Sequence, residues 1–273
     1  MKNVCVVGYG AIGPIHAAAI EKVENARLYA VCDCDESRIK RCTDNYDVVT
    51  YTDFDEMLDD VNIDTVHVCT PHYLHFDMVR KALQKGKAVV CEKPLAMDNG
   101  QFEKMLKLPG IDEVAVCFQN RLNTCVLRMK EILSSGELGR VLGVRGLLTW
   151  MRDKAYYDTD EWRGKWETEG GGVLINQAIH TLDLMRYFAG DFTSLKAQMA
   201  NFSLENIIEV EDSFMAYLKA ENDAKAVFFA TNTFCSNSSP DIQVVCEKGT
   251  LHYTDDKLFL DDELLCHDVT AEG

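Results

Sequence analysis

Two rhythms of apolar and polar positions divide the chain. Through about residue 118, short continuous apolar runs alternate with amphipathic segments. The runs are Asn3–Gly8, Ala26–Cys32, Asp64–Thr70, Ala88–Cys91 and Glu113–Cys117. Between them the spacing predicts helices over Ala11–Val23, Glu36–Thr43, Asp53–Leu58, Tyr73–Gln84 and Asn99–Leu106. Continuous apolar strands separated by helices predict a parallel sheet covered on both faces, the doubly wound α/β class. Past residue 120 the rhythm changes. Helices are expected over Thr124–Leu133 and Gly172–Phe188, and strands over Val141–Trp150, Ser194–Phe202, Asp212–Ala220, Ala224–Thr233, Asp241–Glu247 and Thr250–Tyr253. Long strands with few helices between them predict a large, open, mostly antiparallel sheet. One face would pack on helices and the other would meet a subunit partner.

Composition narrows the function classes. The 273 residues suffice for two domains, and 47% are hydrophobic, enough for a substantial core. With 28 basic and 44 acidic residues the formal charge is −16, which makes nucleic acid a poor partner. No apolar run approaches the roughly 20 residues of a membrane span, and no signal peptide is read at Met1-Lys2-Asn3. Several of the eleven cysteines (Cys5, Cys32, Cys69, Cys91 and Cys117) lie in apolar strand-like runs, where a thiol acts as a small buried hydrophobe. Reduced thiols point to the cytoplasm. No zinc spacing is present, and no metal site is expected.

Candidate chemistry begins at Gly8-Tyr9-Gly10-Ala11-Ile12-Gly13, directly after the first strand and opening a helix. In that context the glycine pattern acquires its meaning. Gly8 permits a tight turn, Gly10 lets backbone approach a pyrophosphate, and Gly13 lets the helix pack close to the strand. The anion would rest on amides at the positive helix end, beside Tyr9 and Ile12. Asp33 follows Gly13 by twenty residues, at the end of the second strand. A carboxylate there accepts from adenosine ribose hydroxyls and repels a 2′-phosphate, favouring NAD. Arg38 is near enough to meet a phosphate, which keeps NADP as the alternative. Asp33 or Asp35 would otherwise serve as a helix cap.

Three further motifs follow: Thr70-Pro71-His72-Tyr73-Leu74-His75, Glu92-Lys93-Pro94, and the run from Gly170 through Asn176 and His180 to Asp183. With the glycine loop they resemble the glucose–fructose oxidoreductase/inositol dehydrogenase (Gfo/Idh/MocA) family over nearly the whole chain. Asn120-Arg121 and Trp162-Arg163-Gly164 are similar to members acting on sugars, including nucleotide-sugar dehydrogenases. The resemblance implies an NAD-binding Rossmann domain over 1–118 and a substrate-binding and oligomerisation α/β domain over 119–273. It implies hydride transfer between a nicotinamide and a secondary alcohol of a sugar or cyclitol, in homodimers or homotetramers. Lys93 matches the family's active-site lysine and His180 its histidine. Thr70, Pro71, His75 and Glu92 match positions near the nicotinamide and its ribose. Chemistry agrees: a histidine near neutral pKa suits removal of a hydroxyl proton, and a lysine stabilises developing alkoxide charge. Arg121, Trp162 and Arg163, with Lys93, Asn176 and His180, are the candidate substrate-binding set. Asp183, three residues past His180, would orient the imidazole or make a structural bond.

Asn176 stands where many family members carry Asp, so the histidine would lack a nearby anion. Family members usually run on past the region near Leu260, so the ending at Gly273 implies a missing segment or a short variant. Two other readings stay open: a non-catalytic NAD-binding sensor, and an NAD-dependent glycosidase.

Overall fold

Successive residues of the first strand, β1 (Lys2–Val7), bury on opposite faces. Val4 and Val6 join one apolar cluster, and Cys5 and Val7 join another. A strand covered on both sides must be apolar throughout, which is the pattern of its sequence. The computed structural model describes residues 1–268. Residues 269–273 of the expected second domain lie outside the described residues. The chain divides into two compact units at Cys117/Phe118.

In the first unit, β1 is followed by α1 (Gly13–Ile20), β2 (Ala26–Cys32), α2 (Glu36–Thr43), β3 (Val49–Tyr51) and α3 (Phe54–Leu58). Then come β4 (Thr65–Val68), α4 (His72–Gln84), β5 (Ala88–Cys91), α5 (Asn99–Met105) and β6 (Val114–Val116). All neighbouring strands pair in parallel, in the order β3-β2-β1-β4-β5-β6. The order reverses direction between β1 and β4, the switch point beside which such sheets bind ligands. β3 was not expected from the sequence: three residues, one of them half-buried, give too short a run to register as a strand. Cys5, Cys32, Cys69 and Cys91 are buried, as the strand pattern implied.

The second unit holds α6 (Thr124–Ser135), β7 (Val141–Thr149), α7 (Lys154–Asp158), α8 (Val173–Asn176), α9 (Ile179–Ala189), β8 (Phe192–Ala200) and β9 (Ser213–Ala220). It continues with β10 (Lys225–Thr231), β11 (Asp241–Cys246), β12 (Gly249–Thr254), β13 (Lys257–Leu260) and β14 (Glu263–His267). These eight strands form one sheet, β14-β13-β12-β11-β7-β10-β9-β8, antiparallel except where β10 runs parallel to β7. Its core lies under α6 and α9: Val126, Met129, Leu184 and Met185 pack on Val144, Leu148, Phe228 and Val244. Gly146 lets the helix approach, since a Cβ there would sit 2.2 Å from Met185 Sδ. On the opposite face Met215, Tyr217 and Val227 are about half exposed.

Two expectations change here. The single helix expected over Gly172–Phe188 is two, α8 and α9. Ala178 N–H reaches back five residues to Val173 O at 2.8 Å, which widens the turn and separates them. The segment after Tyr253 adds the β13–β14 hairpin. Its turns place Asp255, Asp256 and Asp261 at φ of 49°, 55° and 53°, a backbone region Asp enters more readily than most residues.

Candidate functional site

The glycine turn between β1 and α1 is shaped by contacts a side chain would destroy. Gly8 has φ +87°, and a Cβ there would lie 2.7 Å from Cys69 O. A Cβ on Gly13 would lie 2.4 Å from Gly8 O. Gly10 differs: its added Cβ would meet only Arg38 Nη1 at 3.8 Å, so its backbone is open to an approaching group. Helix α1 starts at Ile12 without a side-chain cap. Pro14 has no N–H and Ile15 and His16 bond back to Ile12 O, so an anion would meet the amides of the turn before them.

Asp33 turns its carboxylate toward this loop. Oδ2 accepts Tyr9 N–H at 2.7 Å and Oδ1 accepts Asp35 N–H at 2.9 Å. It is not the helix cap; Asp35 caps α2 through Ser37 N–H. A carboxylate has about four lone-pair sites, so two bonds leave capacity for hydroxyl donors. Arg38 Nη1 stands 3.8 Å from Asp33 Oδ2, with its side chain 41% exposed. The sequence reading missed Arg41, three positions on along α2. Its guanidinium donates to Tyr9 O and to Gly10 O and lies over the Tyr9 ring, bracing the loop.

Thr70 and Pro71 form the turn into α4, with Pro71 as its N-cap. His75 is fully buried, with Nε2 2.8 Å from Thr70 O and Nδ1 2.7 Å from Pro94 O. A neutral ring has one N–H, so it donates to one of these carbonyls and packs against the other, and its side chain faces protein backbone. Burial pushes its pKa below the ordinary histidine value. Glu92 follows β5 and receives His16 Nε2–H at 2.9 Å and Lys93 N–H at 3.3 Å. Burial raises its pKa, but the His16 hydrogen bond and the His16 and Lys93 charges outweigh that and hold it below the usual value. The ligand atoms of His16, Glu92 and Cys117 lie within 4.8 Å of one another, a grouping that linear spacing does not reveal.

The second unit gathers its own candidates around α8 and α9. Gly172 and Leu174 donate N–H to the Glu211 carboxylate at 2.8 and 3.1 Å, so the N-terminus of α8 is already capped. Asn176 donates Nδ2–H to Glu169, which is 1% exposed and also accepts Gly164 N–H. Burial pushes Glu169 above the ordinary glutamate pKa. A buried carboxyl group therefore stands behind Asn176 although position 176 itself is an amide, which the sequence reading did not anticipate. His180 opens α9, its ring edge-on to Phe118 at 5.8 Å.

Asp183 accepts two bonds from Arg121, at 2.7 and 2.5 Å, and Arg121 stacks over Tyr187. Of the two roles considered for Asp183, this is the structural bond, and it occupies the guanidinium expected to meet substrate. Arg163 is similarly engaged by Asp160 and Tyr156 Oη and stacks on Trp162. Tyr156 Oη also accepts Gln177 Nε2–H at 3.0 Å, and Gln177 Oε1 accepts Asn232 Nδ2–H at 3.1 Å. Sequence inspection offered no signal for this polar cluster, whose members are up to 76 residues apart. An open groove of about 780 Å³ beside Lys2, Asp64 and Lys87 lies at the amino ends of the strands, away from the glycine turn.

A sheet in this order, a glycine turn opening an uncapped helix, and a carboxylate at the end of β2 define a dinucleotide-binding protein. Residues 2–124 match the oxidoreductase family with an NAD-binding Rossmann fold, and residues 126–252 match the GFO/IDH/MocA C-terminal domain. The chain belongs to this family.

Among relatives, the myo-inositol 2-dehydrogenase of Thermotoga maritima is 30% identical over 191 residues, 68% of this chain and 54% of that protein. The levoglucosan dehydrogenase of Pseudarthrobacter phenanthrenivorans is 28% identical over 162 residues, 58% of this chain and 41% of the relative. The chain thus spans about half the length of these relatives. Among solved structures, the WlbA dehydrogenase of Bordetella pertussis in complex with NADH and UDP-GlcNAcA superposes with a TM-score of 0.88 at 28% identity. The match covers 100% of this chain and 78% of that one. Among the described residues, no helix is long and apolar enough to cross a membrane.

Proposed function

We propose that the chain is an NAD-dependent dehydrogenase that oxidises a secondary alcohol of a sugar, sugar derivative or cyclitol. The observation that carries this reading is the open Gly10 backbone beside an uncapped α1, with Asp33 bonded to Tyr9 N–H at 2.7 Å. When bound, NAD supplies the hydride acceptor. The glycine turn would hold its pyrophosphate on backbone amides. Asp33 accepts from the ribose hydroxyls and, 3% exposed at its side chain, repels a 2′-phosphate, which favours NAD over NADP.

Lys93 donates to the reacting oxygen and stabilises its developing negative charge. His180 removes the hydroxyl proton, with Asn176 as a neighbouring polar contact backed by Glu169. Trp162 and its stacked Arg163 belong to the substrate-recognition loop. The substrate class is supported by relatives named for myo-inositol and levoglucosan and by a structural neighbour complexed with UDP-GlcNAcA. The half-exposed Met215, Tyr217 and Val227 support pairing of the sheet face with a second copy.

The test is a panel of inositols, anhydrosugars, hexoses, uronic acids and nucleotide sugars, scored by NADH absorbance. Turnover with a polyol or sugar member is expected. Tight NAD binding with no turnover on any of them would contradict the reading.

A further inference from the structure

Within the first unit, two histidines and a glutamate form a chain beside Lys93. His16 sits on α1, His67 on β4, and Glu92 just past β5. His16 Nε2 is 2.9 Å from Glu92 Oε1, and His16 Nδ1 is 2.9 Å from His67 Nδ1. The rings cross edge-on, with centroids 5.1 Å apart at 89°. The side chains of His16 and Glu92 are only 10% and 13% exposed. Glu92 Oε2 accepts Lys93 N–H, and the Cys117 thiol lies within 4.8 Å of this carboxylate.

The chemistry of the partners fixes the direction of the chain. An ionised carboxylate only accepts, so His16 Nε2 must donate. With His16 in its neutral form, Nε2 carries the one N–H and Nδ1 is a lone pair, so His67 donates from Nδ1. Burial pushes the His67 pKa down to about 4, which keeps that ring neutral at neutral pH. Each histidine is therefore confined to one tautomer, and the carboxylate is held in one place. On the other side of the same turn, His75 reaches Pro94 O.

We propose that His16 and His67 are positioning residues for Lys93. The donor chain His67 to His16 to Glu92 anchors the carboxylate against the Lys93 backbone and keeps a negative charge beside the lysine. The proposal rests on the reading of Lys93 as the group that meets the substrate oxygen.

Two measurements on the full chain, neither using substrate, test it. Long-range proton–nitrogen correlation spectra of histidine-labelled protein should show Nε2–H at His16 and Nδ1–H at His67. Competitive acetylation followed by mass spectrometry reads Lys93 directly, because only the neutral amine reacts. Removing the adjacent charge should leave more of the Lys93 amine neutral and give about tenfold faster acetylation at neutral pH. That acceleration is expected in Glu92→Gln and in His16→Leu, which removes the donor. His16→Gln restores a donor and should keep the wild-type rate.

Equal Lys93 rates in wild type, Glu92→Gln and His16→Leu would overturn the proposal, as would Nδ1–H at His16. Added zinc moving the His16 nitrogens to metal-bound positions would also overturn it, in favour of a His16–Glu92–Cys117 cation site. Shifted labelling together with unimpaired turnover in Lys93→Ala would leave the positioning chain intact and refute only the role of Lys93.

Discussion

Gly172→Ala probes the turn that launches the Asn176–His180 segment. A Cβ at this position would lie 1.9 Å from Glu211 O and 2.9 Å from its carbonyl carbon, so backbone must move. That movement pulls on the Glu211 carboxylate, which caps α8 through Gly172 N–H at 2.8 Å and Leu174 N–H at 3.1 Å. Forced overpacking costs about 2 kcal/mol. Two charge-assisted hydrogen bonds weakened together add about 1.5 kcal/mol each, for a total of about 5 kcal/mol. Gly136→Ala is the control: its φ is +74° but nothing lies within 4 Å of its Cβ. Only the left-handed backbone opposes that change, at about 1 kcal/mol. All three tryptophans (Trp150, Trp162 and Trp166) fall in the second unit, so their fluorescence during urea unfolding reports on that unit alone. A loss in Gly172→Ala no larger than in Gly136→Ala would refute the steric argument.

Three other outcomes follow from the same contacts. Asp33→Ser should weaken NAD at least tenfold and narrow the preference over NADP, read by fluorescence titration with NADH and NADPH; an unchanged ratio contradicts the ribose role. His180→Ala should lower kcat by about 10²-fold or more with NAD affinity retained, and comparable turnover would remove it as the base. Glu169, raised by burial, holds its proton in the folded state above the pH at which the unfolded chain releases it. Stability should therefore fall as pH rises from the ordinary glutamate pKa through the raised folded value, and Glu169→Gln should flatten that slope in urea midpoints; identical slopes would contradict a buried carboxyl.

Local signals were legible in the sequence. The glycine turn, the apolar runs and the α1 start are written in contiguous residues, and the parallel sheet follows from strands apolar on both faces. The β13–β14 hairpin escaped because the turns on either side of β13 use Asp at positive φ where Gly or Asn is the usual signal. The break at Gln177-Ala178 carries no proline or glycine, since a widened turn, not a breaker residue, makes it. The Glu169–Asn176 bond and the His67–His16–Glu92 chain escaped for another reason. Their partners are brought together only by folding, across 51 and 76 residues in the second case. Arg121 shows the converse: its neighbours in sequence suggested substrate, whereas folding pairs it with Asp183, 62 residues away.

Direct binding of NADH to the wild-type chain and to Gly10→Val, followed calorimetrically, tests the central claim. The added side chain would fill a stretch of the turn where backbone is open, with Arg38 Nη1 3.8 Å away as the nearest neighbour of a Cβ among the described residues. The account predicts stoichiometric binding to the wild type and its loss in a variant whose circular dichroism and unfolding midpoint are unchanged. Equal affinity in the two proteins would contradict it.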